Sequence, residues 1–472
     1  MTATPAGFDA LVALTTGDED LQRWLHDYQL DAKRWRDAAM AELGAPEAWR
    51  DAVAAVRRHT VAHLDEYLVQ FVDKVQEAGG EVFLAATATE AREHIAAIVR
   101  ARGARRVVKA KSMVTAEIGL NPALEEMGVE VVETDLGEYI VQLSGEPPYH
   151  ITGPALHKRL PEIRALFSEV AGEELPDDVE ALAAFARRVL RDRFLTADVG
   201  ISGVNLGVAA TGTVVLVTNE GNGRMSTTLP RTHIAVMGIE RLVPDWPSLA
   251  PVLTMLTRAG TGERATTYVS AITGPRRSAD VDGPDELHVV IVDNGRSALL
   301  GTKYQNALTC IRCGCCADTC PVYRTIGGHA YQSVYSGPIG AVITPLLDGL
   351  DGHAHLPFAS TLCGACDAAC PARVPLTELL LELRSDVAAR ESAASSWGLG
   401  FRGFAALSER PRLWGGALAA AGAAWPAVAR LPLQWLRLLA PWTGSRELPA
   451  VAPRSFRRIW AGGRGGRRGR GC

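Results

Sequence analysis

The chain has 472 residues, of which 47% are hydrophobic and 22% are charged, a composition typical of globular proteins and not of disordered tails. At about 100–200 residues per domain, this length predicts two or three folded units. Lysine and arginine total 49 against 53 aspartates and glutamates, so the net charge of −4 argues against a nucleic-acid binder that works through bulk charge.

The N-terminal part of the chain has the pattern of helices. Between residues 20 and 78, apolar residues recur three and four positions apart with charges between them, and Gly79 and Gly80 supply a helix stop. We therefore predict a helical segment over residues 1–79 that packs on the domain that follows. The N-terminus lacks the basic start and apolar run of a signal peptide, which predicts a cytoplasmic protein.

Residues 80–300 alternate between strand and helix patterns and predict one α/β domain. The first half shows three buried strands separated by two helices, which is typical of a parallel sheet with helices packed on it. Two more helices and four more strands follow. The predicted strands are EVFLAAT, RVVKA, VEVVETD, TVVLVTN, THIAVMGIE, RATTYVSAIT and ELHVVIVDNG. The predicted helices are TEAREHIAAIVRARG, KSMVTAEIGLNPALEEMG, PEIRALFSEVA and VEALAAFARRVLRDRFLTADVG.

The segment NEGNGR, residues 219–224, has two interpretations. The favoured one is a turn with positive φ at Gly221 and Gly223. The other is the mouth of a pocket, formed by Asn219, Glu220, Asn222, Arg224, Thr227 and Thr228.

A second group of polar residues lies at the end of the strand RVVKA, where α/β sheets place their ligands: Lys109, Lys111 and Ser112. A small carboxylate would suit Lys111 together with Arg224, although surface charge is the simpler explanation. No G-x-G-x-x-G sequence leads from a strand into a helix, so the chain carries no flavin or nicotinamide fingerprint.

The cysteines are the most informative residues. Eight of the nine fall between Cys310 and Cys370, which is typical of a metal site in a reducing compartment and not of a disulfide-stapled fold. The first run, CIRCGCCADTCP, contains the C-x2-C-x2-C-x3-C-P spacing of bacterial two-cluster ferredoxins. Zinc is the alternative, but five cysteines exceed the four ligands that zinc takes, usually as two separated pairs. We therefore predict a ferredoxin-type [4Fe–4S] domain over residues 301–390.

The second run, CGACDAACP, assigns the ligands of two clusters when it is aligned with the first run on the final proline. In this spacing, the fourth cysteine of each run ligates the other cluster. Cluster one is then held by Cys310, Cys313, Cys316 and Cys370, and cluster two by Cys320, Cys363 and Cys366. The remaining ligand position of cluster two falls on Ser360.

Three interpretations of the missing ligand stay open. Ser360 or water completes a [4Fe–4S] cluster, the corner iron is absent and leaves [3Fe–4S], or the surplus Cys315 moves in. We favour an incomplete or labile fourth corner, because Cys315 sits between two ligands of cluster one. Cys315 is then a buried spare, and Cys472 a free thiol of the tail.

Residues 321–362 separate the two runs, and this segment is longer than the one in a minimal ferredoxin. Their glycines and Pro338 suggest backbone amides that pass close to a cluster and hydrogen-bond its sulfur, a surface loop being the alternative. Three histidines in this segment, which we interpret as structural and not as ligands, are His329, His353 and His355.

Residues 391–472 are predicted to form a C-terminal helical region with a basic Gly/Arg tail. Their apolar stretch, residues 413–429, is interrupted by Pro426 and is shorter than the ~20 residues of a membrane-spanning helix. We therefore expect a short helix packed on the protein or a partner, and no transmembrane span. The arginine-rich residues 454–472 are expected to be disordered rather than to bind an acidic surface.

Long segments of the chain, in the same order, resemble the B subunit of the bacterial lactate-utilisation system, an iron–sulfur protein that acts in the oxidation of L-lactate to pyruvate. The segments are VKAKSMVTAEIGLNPALEEMGVEVVETDLGEYIVQLSGEPPYHI, GVAATGTVVLVTNEGNGRMSTTLPRTHI, CIRCGCCADTCPVYRTIGGHAY, SGPIGAV, LPFASTLCGACDAACP and WTGSRELPAVAPRSFRRIW. The chain departs from the family pattern at Cys315, where a small residue is expected, and in its Gly/Arg tail.

The resemblance implies a fold and partners. It implies an α/β domain like that of NagB and the CoA transferases, followed by an α-helical two-cluster ferredoxin domain whose second run likewise carries three cysteines. It also implies a cysteine-rich A subunit and a C subunit as partners.

A ferredoxin module moves electrons and performs no substrate chemistry, so we expect an electron-transfer subunit and not a stand-alone lactate dehydrogenase. One alternative is a self-contained α/β enzyme that acts on a small hydroxyacid or acyl substrate and has regulatory clusters. Another is a non-catalytic scaffold on which partners assemble.

Overall fold

The computed structural model describes residues 7–390 and 396–428, together with five positions between 452 and 460. The chain divides into two compact units, residues 1–387 and residues 388–472. The first unit contains both β-sheets and the eight cysteines that the structure describes.

Four helices open the first unit: α1 (Phe8–Gly17), α2 (Glu19–Ala41), α3 (Pro46–Ala62) and α4 (Leu64–Glu77). The Asp18 side chain accepts a hydrogen bond from the Leu21 amide and so caps the start of α2. Gly79 adopts a φ of +90° directly after α4, and the Gly80 amide donates to the Val75 carbonyl at 2.9 Å. The predicted glycine stop is therefore a helix C-cap in the structure.

In the part of the chain that the structure describes, ten strands form two sheets. They are β1 (Glu81–Ala85), β2 (Arg106–Lys109), β3 (Glu130–Glu133), β4 (Val199–Gly203), β5 (Leu206–Val208), β6 (Thr213–Thr218), β7 (Thr232–Gly238), β8 (Leu242–Val243), β9 (Tyr268–Ile272) and β10 (Glu286–Val292). The larger sheet has six parallel strands in the order β1-β10-β7-β4-β2-β3. The smaller sheet has the order β8-β5-β6-β9 and is antiparallel except between β5 and β8.

Eight helices connect these strands. They are α5 (Ala88–Ala101), α6 (Met113–Glu117), α7 (Leu120–Glu125), α8 (Leu136–Ser144), α9 (Leu160–Ala171), α10 (Val179–Leu195), α11 (Asn222–Thr228) and α12 (Trp246–Gly260). The inner parallel strands β7 and β10 are buried on both faces, which is why they read as continuous apolar runs, whereas the edge strand β1 is partly exposed. The helix predicted for KSMVTAEIGLNPALEEMG is divided into α6 and α7 by Gly119, which has a φ of +64°.

The predicted turn at residues 219–224 is wrong. Gly221 has a φ of −72° and precedes α11, and Gly223 lies inside that helix. Gly223 is needed for close packing, because a Cβ there would lie 2.8 Å from Cγ2 of Thr218.

The cysteine-containing region consists of short helices. They are α13 (Cys315–Asp318), α14 (Pro321–Ile326), α15 (Gly337–Leu347), α16 (Leu350–His353), α17 (Ala365–Ala369) and α18 (Leu376–Arg390). Single 3-10 turns lie at Ser297–Leu299, Gln305–Thr309, His329–Tyr331 and Leu356–Phe358. The structure thus has, in the predicted order, a mixed α/β domain with a parallel sheet, a segment of short helices that carries the cysteines, and C-terminal helices.

The second unit contains α19 (Ser396–Ser408) and α20 (Pro411–Val428). The apolar stretch 413–429 lies in α20 up to residue 428. Within the described ranges, no helix has the length and apolar character needed to cross a membrane. Cys472 and most of the predicted arginine-rich tail lie outside the described residues.

Candidate iron–sulfur centre and the cavity beside it

The two cysteine runs fold as copies of each other, fifty residues apart. Each run passes through two residues of positive φ, enters a short helix, and reaches its last cysteine just after that helix. The matched pairs are Arg312 (+60°) with Leu362 (+54°), Gly314 (+80°) with Gly364 (+78°), α13 with α17, and Cys320 with Cys370. Because non-glycine residues rarely adopt positive φ, the repeat of this feature at Arg312 and Leu362 marks the same backbone loop in both runs.

The repeat extends to the first ligand position. In the first run, the Arg312 amide donates a hydrogen bond to Sγ of Cys310 at 3.4 Å. In the second run, the Leu362 amide donates to Oγ of Ser360 at 3.1 Å. The Ser360 hydroxyl therefore occupies the place that the Cys310 thiol holds in the first run.

The thiols interact across the two runs. Burial raises the pKa of Cys370 to about 12, and the Cys310 thiol of the first run adds to this increase. Burial also raises the pKa of Cys320, and here the Cys363 thiol of the second run adds to the increase. Burial raises the pKa of Cys366 to about 12, with further contributions from Asp367 and Cys320. The last cysteine of each run, Cys320 or Cys370, is thus grouped with the opposite run.

The chemistry of these donors fits iron. Cys313 and Cys316 are buried, and burial followed by neighbouring thiols raises the pKa of both. A crowded set of buried thiols ionises only when a cation compensates the charge, which is what iron does for its thiolate ligands.

Cys315, the surplus cysteine, has its own partners. Its side chain is fully buried, and its Sγ lies 3.4 Å from Nη1 of Arg36 and 3.5 Å from the carbonyl oxygen of Ala369. Burial raises the pKa of Cys315 to about 11. The Cys315 thiol raises the pKa of three cysteines that are grouped with the first run, namely Cys313, Cys316 and Cys370.

The segment between the runs contributes a backbone donor, as its glycines suggest. A hydrogen bond from the Ile339 amide acts on the Cys316 thiol and opposes the increase in pKa that burial causes there. The three histidines of this segment contact groups other than thiols. His329 Nε2 lies 2.9 Å from the Pro147 carbonyl, His353 lies 3.9 Å from Asp348, and the His355 ring packs at a tilt against the Phe8 ring, with the centroids 4.7 Å apart.

Buried side chains from the rest of the first unit hold the first run in place. Nη2 of Arg57 donates to the Leu308 carbonyl at 3.1 Å, and Nη1 of Arg241 donates to the Cys310 carbonyl at 3.1 Å. Nε2 of Gln29 donates to the carbonyls of Ala317, at 2.9 Å, and Cys320, at 3.1 Å. These contacts satisfy loop carbonyls and place two guanidinium groups beside the candidate cluster.

A cavity of about 410 Å³ lies where the carboxyl ends of three adjacent parallel strands, β2, β4 and β7, meet the first cysteine run. Its lining includes Gly203 and Gly238 at the ends of β4 and β7, and also Cys313. Gly260, at the end of α12, lines it too and packs closely on the run, because a Cβ there would lie 2.9 Å from the Cys313 carbonyl oxygen. The edge of the sheet at which α/β proteins bind ligands therefore opens toward a candidate cluster ligand.

A buried ionic network forms one wall of this cavity. Arg296 bridges two carboxylates: Nη2 lies 2.6 Å from Glu117 and Nε lies 2.8 Å from Glu240. Arg312 lies 3.6 Å from Glu240 and 4.4 Å above the Tyr335 ring. Burial alone would raise the pKa of Glu240, but the neighbouring arginines lower it to about 2, so this carboxylate stays ionised.

Some of the polar residues singled out in the sequence line the cavity, namely Lys111, Ser112, Asn219, Glu220 and Asn222. The others do not. Lys109 is buried, with its Nζ 2.7 Å from Glu133 and 3.0 Å from Thr115. Arg224 is exposed, and its carbonyl accepts hydrogen bonds from the hydroxyls of Thr227 and Thr228 within α11. The structure therefore does not bring Arg224 to the ligand position expected for it beside Lys111.

Comparison with known proteins identifies both halves of this site. A family described as the LUD domain matches residues 68–292, and one described as the 4Fe-4S dicluster domain matches residues 306–374. Lactate utilization protein B of Oceanobacillus iheyensis is 48% identical over 440 residues, which cover 91% of this chain and 90% of the relative. The chain belongs to the lactate utilization protein B family.

Other relatives carry the same family name or a related one. The lactate utilization protein B of Shouchella clausii is 48% identical over 429 residues, 90% of each chain. An Escherichia coli relative, 47% identical over 89% of each chain, is named uncharacterized electron transport protein YkgF. With the dicluster domain over the cysteine runs, this member of the family has two [4Fe–4S] clusters as its cofactors.

Proposed function

We propose that this member of the family is the iron–sulfur electron-transfer subunit of a complex that oxidises L-lactate to pyruvate and so allows growth on lactate. The observation that supports this proposal best is the grouping of thiols across the two runs, Cys370 with Cys310 and Cys320 with Cys363. Shared ligation keeps two clusters within one compact core. Bound clusters supply one-electron chemistry, and oxidation of lactate to pyruvate releases two electrons and two protons.

The ligand sets are part of the proposal. Cluster one would be held by Cys310, Cys313, Cys316 and Cys370, and cluster two by Cys320, Cys363 and Cys366. For the fourth corner of cluster two we propose the Ser360 hydroxyl, because it stands where Cys310 stands in the first run. Cys315 contacts Arg36 and the carbonyl of Ala369, and the thiols whose pKa it raises are those proposed for cluster one. Both observations argue against Cys315 as the fourth ligand of cluster two.

The residues around the ligands have electrostatic roles. Backbone amides of Tyr323 and Val374 donate to the sulfurs of Cys320, at 3.5 Å, and Cys370, at 3.3 Å. Amide donors and buried cations stabilise the added negative charge of a reduced cluster and so raise its reduction potential. Because Arg57 and Arg241 contact the loop of the first run, cluster one would have the higher potential and receive electrons from cluster two.

The remaining parts of the proposal concern the assembly. A lactate-utilisation system of several subunits would provide a cysteine-rich A subunit and a C subunit as partners, in the cytoplasm. The α/β domain would be of the NagB and CoA-transferase type, a likeness supported by its parallel sheet with helices on both faces.

The proposal is tested by following cluster absorbance in anaerobically purified protein. Dithionite should reduce the clusters of the isolated chain, whereas L-lactate should reduce them only when the A and C subunits are added. Turnover of L-lactate by the isolated chain with an artificial acceptor would contradict the proposal and favour a self-contained enzyme. Clusters that dithionite leaves unreduced would favour a scaffold.

A further inference from the structure

We propose that the cavity between the parallel sheet and Cys313 binds a small organic carboxylate through Lys111 and Arg312. This inference rests on the proposed function, since it assigns to this subunit a binding site for the acid that the complex converts. It concerns binding alone and assigns no redox step to the cavity.

The position of the cavity favours a ligand. Three adjacent strands of one parallel sheet end at it, and such edges are where α/β proteins collect their ligands. Its volume of about 410 Å³ lies within the range of small-molecule sites and is large enough for a short acid together with water. Cys313, a candidate ligand of cluster one, lines the cavity, so a molecule bound there would lie next to that ligand.

Two cationic side chains in the lining have N–H donors without a hydrogen-bond acceptor. Nη1 of Arg312 has no hydrogen-bond partner although the side chain is only 10% exposed. No residue in the described ranges hydrogen-bonds or ion-pairs with the Lys111 ammonium, although Glu138 and Glu220 interact with it electrostatically. A buried guanidinium donor without an acceptor costs free energy, and a carboxylate is its most effective partner.

The other charged groups of the lining are already engaged. Arg296 is held between Glu117 and Glu240, and Arg241 donates to backbone carbonyls of the first run. The carboxylate of Glu263 accepts hydrogen bonds from Asn219 and Thr261. Asp135 and Glu220 also line the cavity, and each accepts a backbone hydrogen bond, from the amide of Glu138 and from that of Leu136. The charged donors of the lining that lack a hydrogen-bond acceptor therefore belong to Lys111 and Arg312.

Two neutral groups could recognise the oxygen next to the carboxylate. Oγ1 of Thr257 and Oδ1 of Asn222 line the cavity, are buried, and have no hydrogen-bond partner. A hydroxyl can donate to a keto oxygen or accept from a hydroxyl, whereas an amide oxygen accepts only. This set favours a 2-hydroxy or 2-oxo acid over a simple fatty acid.

The test is calorimetric titration of the anaerobic holoprotein with L-lactate, pyruvate, propionate and inorganic phosphate. We expect saturable binding of lactate or pyruvate, weaker binding of propionate, and at least tenfold weaker binding of the acid by the variant Lys111→Met. Lys111→Arg should retain binding, and Arg224→Gln, which removes an exposed cation outside the cavity, should bind like the unmodified protein. Visible absorbance of each variant confirms that its clusters are intact.

The proposal is overturned if neither acid binds, if Lys111→Met binds as tightly as Arg224→Gln, or if phosphate binds more tightly than both acids. Lactate-dependent reduction of the clusters in the full complex is measured separately. If lactate reduces the clusters of the full complex but does not bind to this chain, the cavity assignment is wrong and the electron-transfer role stands. If lactate binds to this chain but does not reduce the clusters of the full complex, the electron-transfer role is wrong and the cavity assignment stands.

Discussion

Replacing Arg296 by methionine is expected to destabilise the first unit strongly. The Arg296 side chain is 1% exposed, and it is the cation between Glu117 and Glu240, which are 5% and 3% exposed. Methionine fills similar space but leaves two buried carboxylates without this partner. Removing one member of a buried ion pair costs about 3–5 kcal/mol.

The pKa of Glu240 reflects the combined effect of Arg296, Arg312 and Arg241. It lies at about 2 in the folded protein against an ordinary value of 4.5. Since one pKa unit corresponds to about 1.4 kcal/mol, the ionised Glu240 contributes roughly 3 kcal/mol. Because the folded pKa is the lower one, this contribution is present above pH 4.5 and is lost as the pH falls toward 2. In Arg296→Met the folded pKa of Glu240 rises toward its ordinary value, so this pH-dependent contribution becomes smaller.

Urea unfolding at pH 7 under anaerobic conditions, followed by circular dichroism, measures this effect. The matched control is Arg276→Met, because Arg276 forms a 2.6 Å ion pair with Asp285 but is 44% exposed, and exposed pairs contribute at most about 1 kcal/mol. The double variant Arg296→Met with Glu240→Gln should recover part of the stability that Arg296→Met loses. The reasoning is refuted if Arg296→Met and Arg276→Met unfold at the same urea concentration.

Three further outcomes follow from the geometry. Gly260→Ala should lower the iron content, because its Cβ would lie 2.9 Å from the Cys313 carbonyl oxygen. Gly415→Ala is the control, since a Cβ there meets no atom within 4 Å, and iron analysis of both variants measures the difference. Burial lowers the pKa of His233 to about 3, so the stability it confers is present above pH 6.5 and is lost as the pH falls toward 3. Chemical unfolding between pH 7 and 4 should therefore show a shallower pH dependence for His233→Gln, and an unchanged slope would contradict this. Ser360→Cys should abolish any [3Fe–4S] signal in EPR spectra of the oxidised protein and Ser360→Ala should strengthen it; equal spectra would remove Ser360 from the fourth corner.

Much of the fold could be predicted from local sequence patterns. Buried parallel strands such as β7 and β10 appear as apolar runs, and amphipathic helices such as α5 have a regular period. The short strand β4 was not predicted, because its Val199 and Gly200 continue the apolar period of α10. The helix α11 was mistaken for a turn because Gly223 serves close packing there and neither Gly221 nor Gly223 has a positive φ.

The candidate site likewise has parts that could be predicted from the sequence and parts that could not. The cysteine spacing predicts ligands because a cubane is bound by a local loop, and the proline alignment predicts the place of Ser360. The ionic network could not be predicted, since Glu117, Glu240 and Arg296 are far apart in the chain and only the fold brings them together. The sequence pattern contains only a weak indication of this network, namely that the charged residues Glu240 and Arg241 follow shortly after the apolar strand β7.

The ligand sets shared between the two runs are the central claim, and EPR spectroscopy with iron analysis of single cysteine variants tests them most directly. We predict that Cys310→Ser and Cys370→Ser remove the signal of the same cluster, whereas Cys320→Ser removes the other. If Cys370→Ser instead removes the same cluster as Cys363→Ser, each run binds its own cluster and the account is wrong.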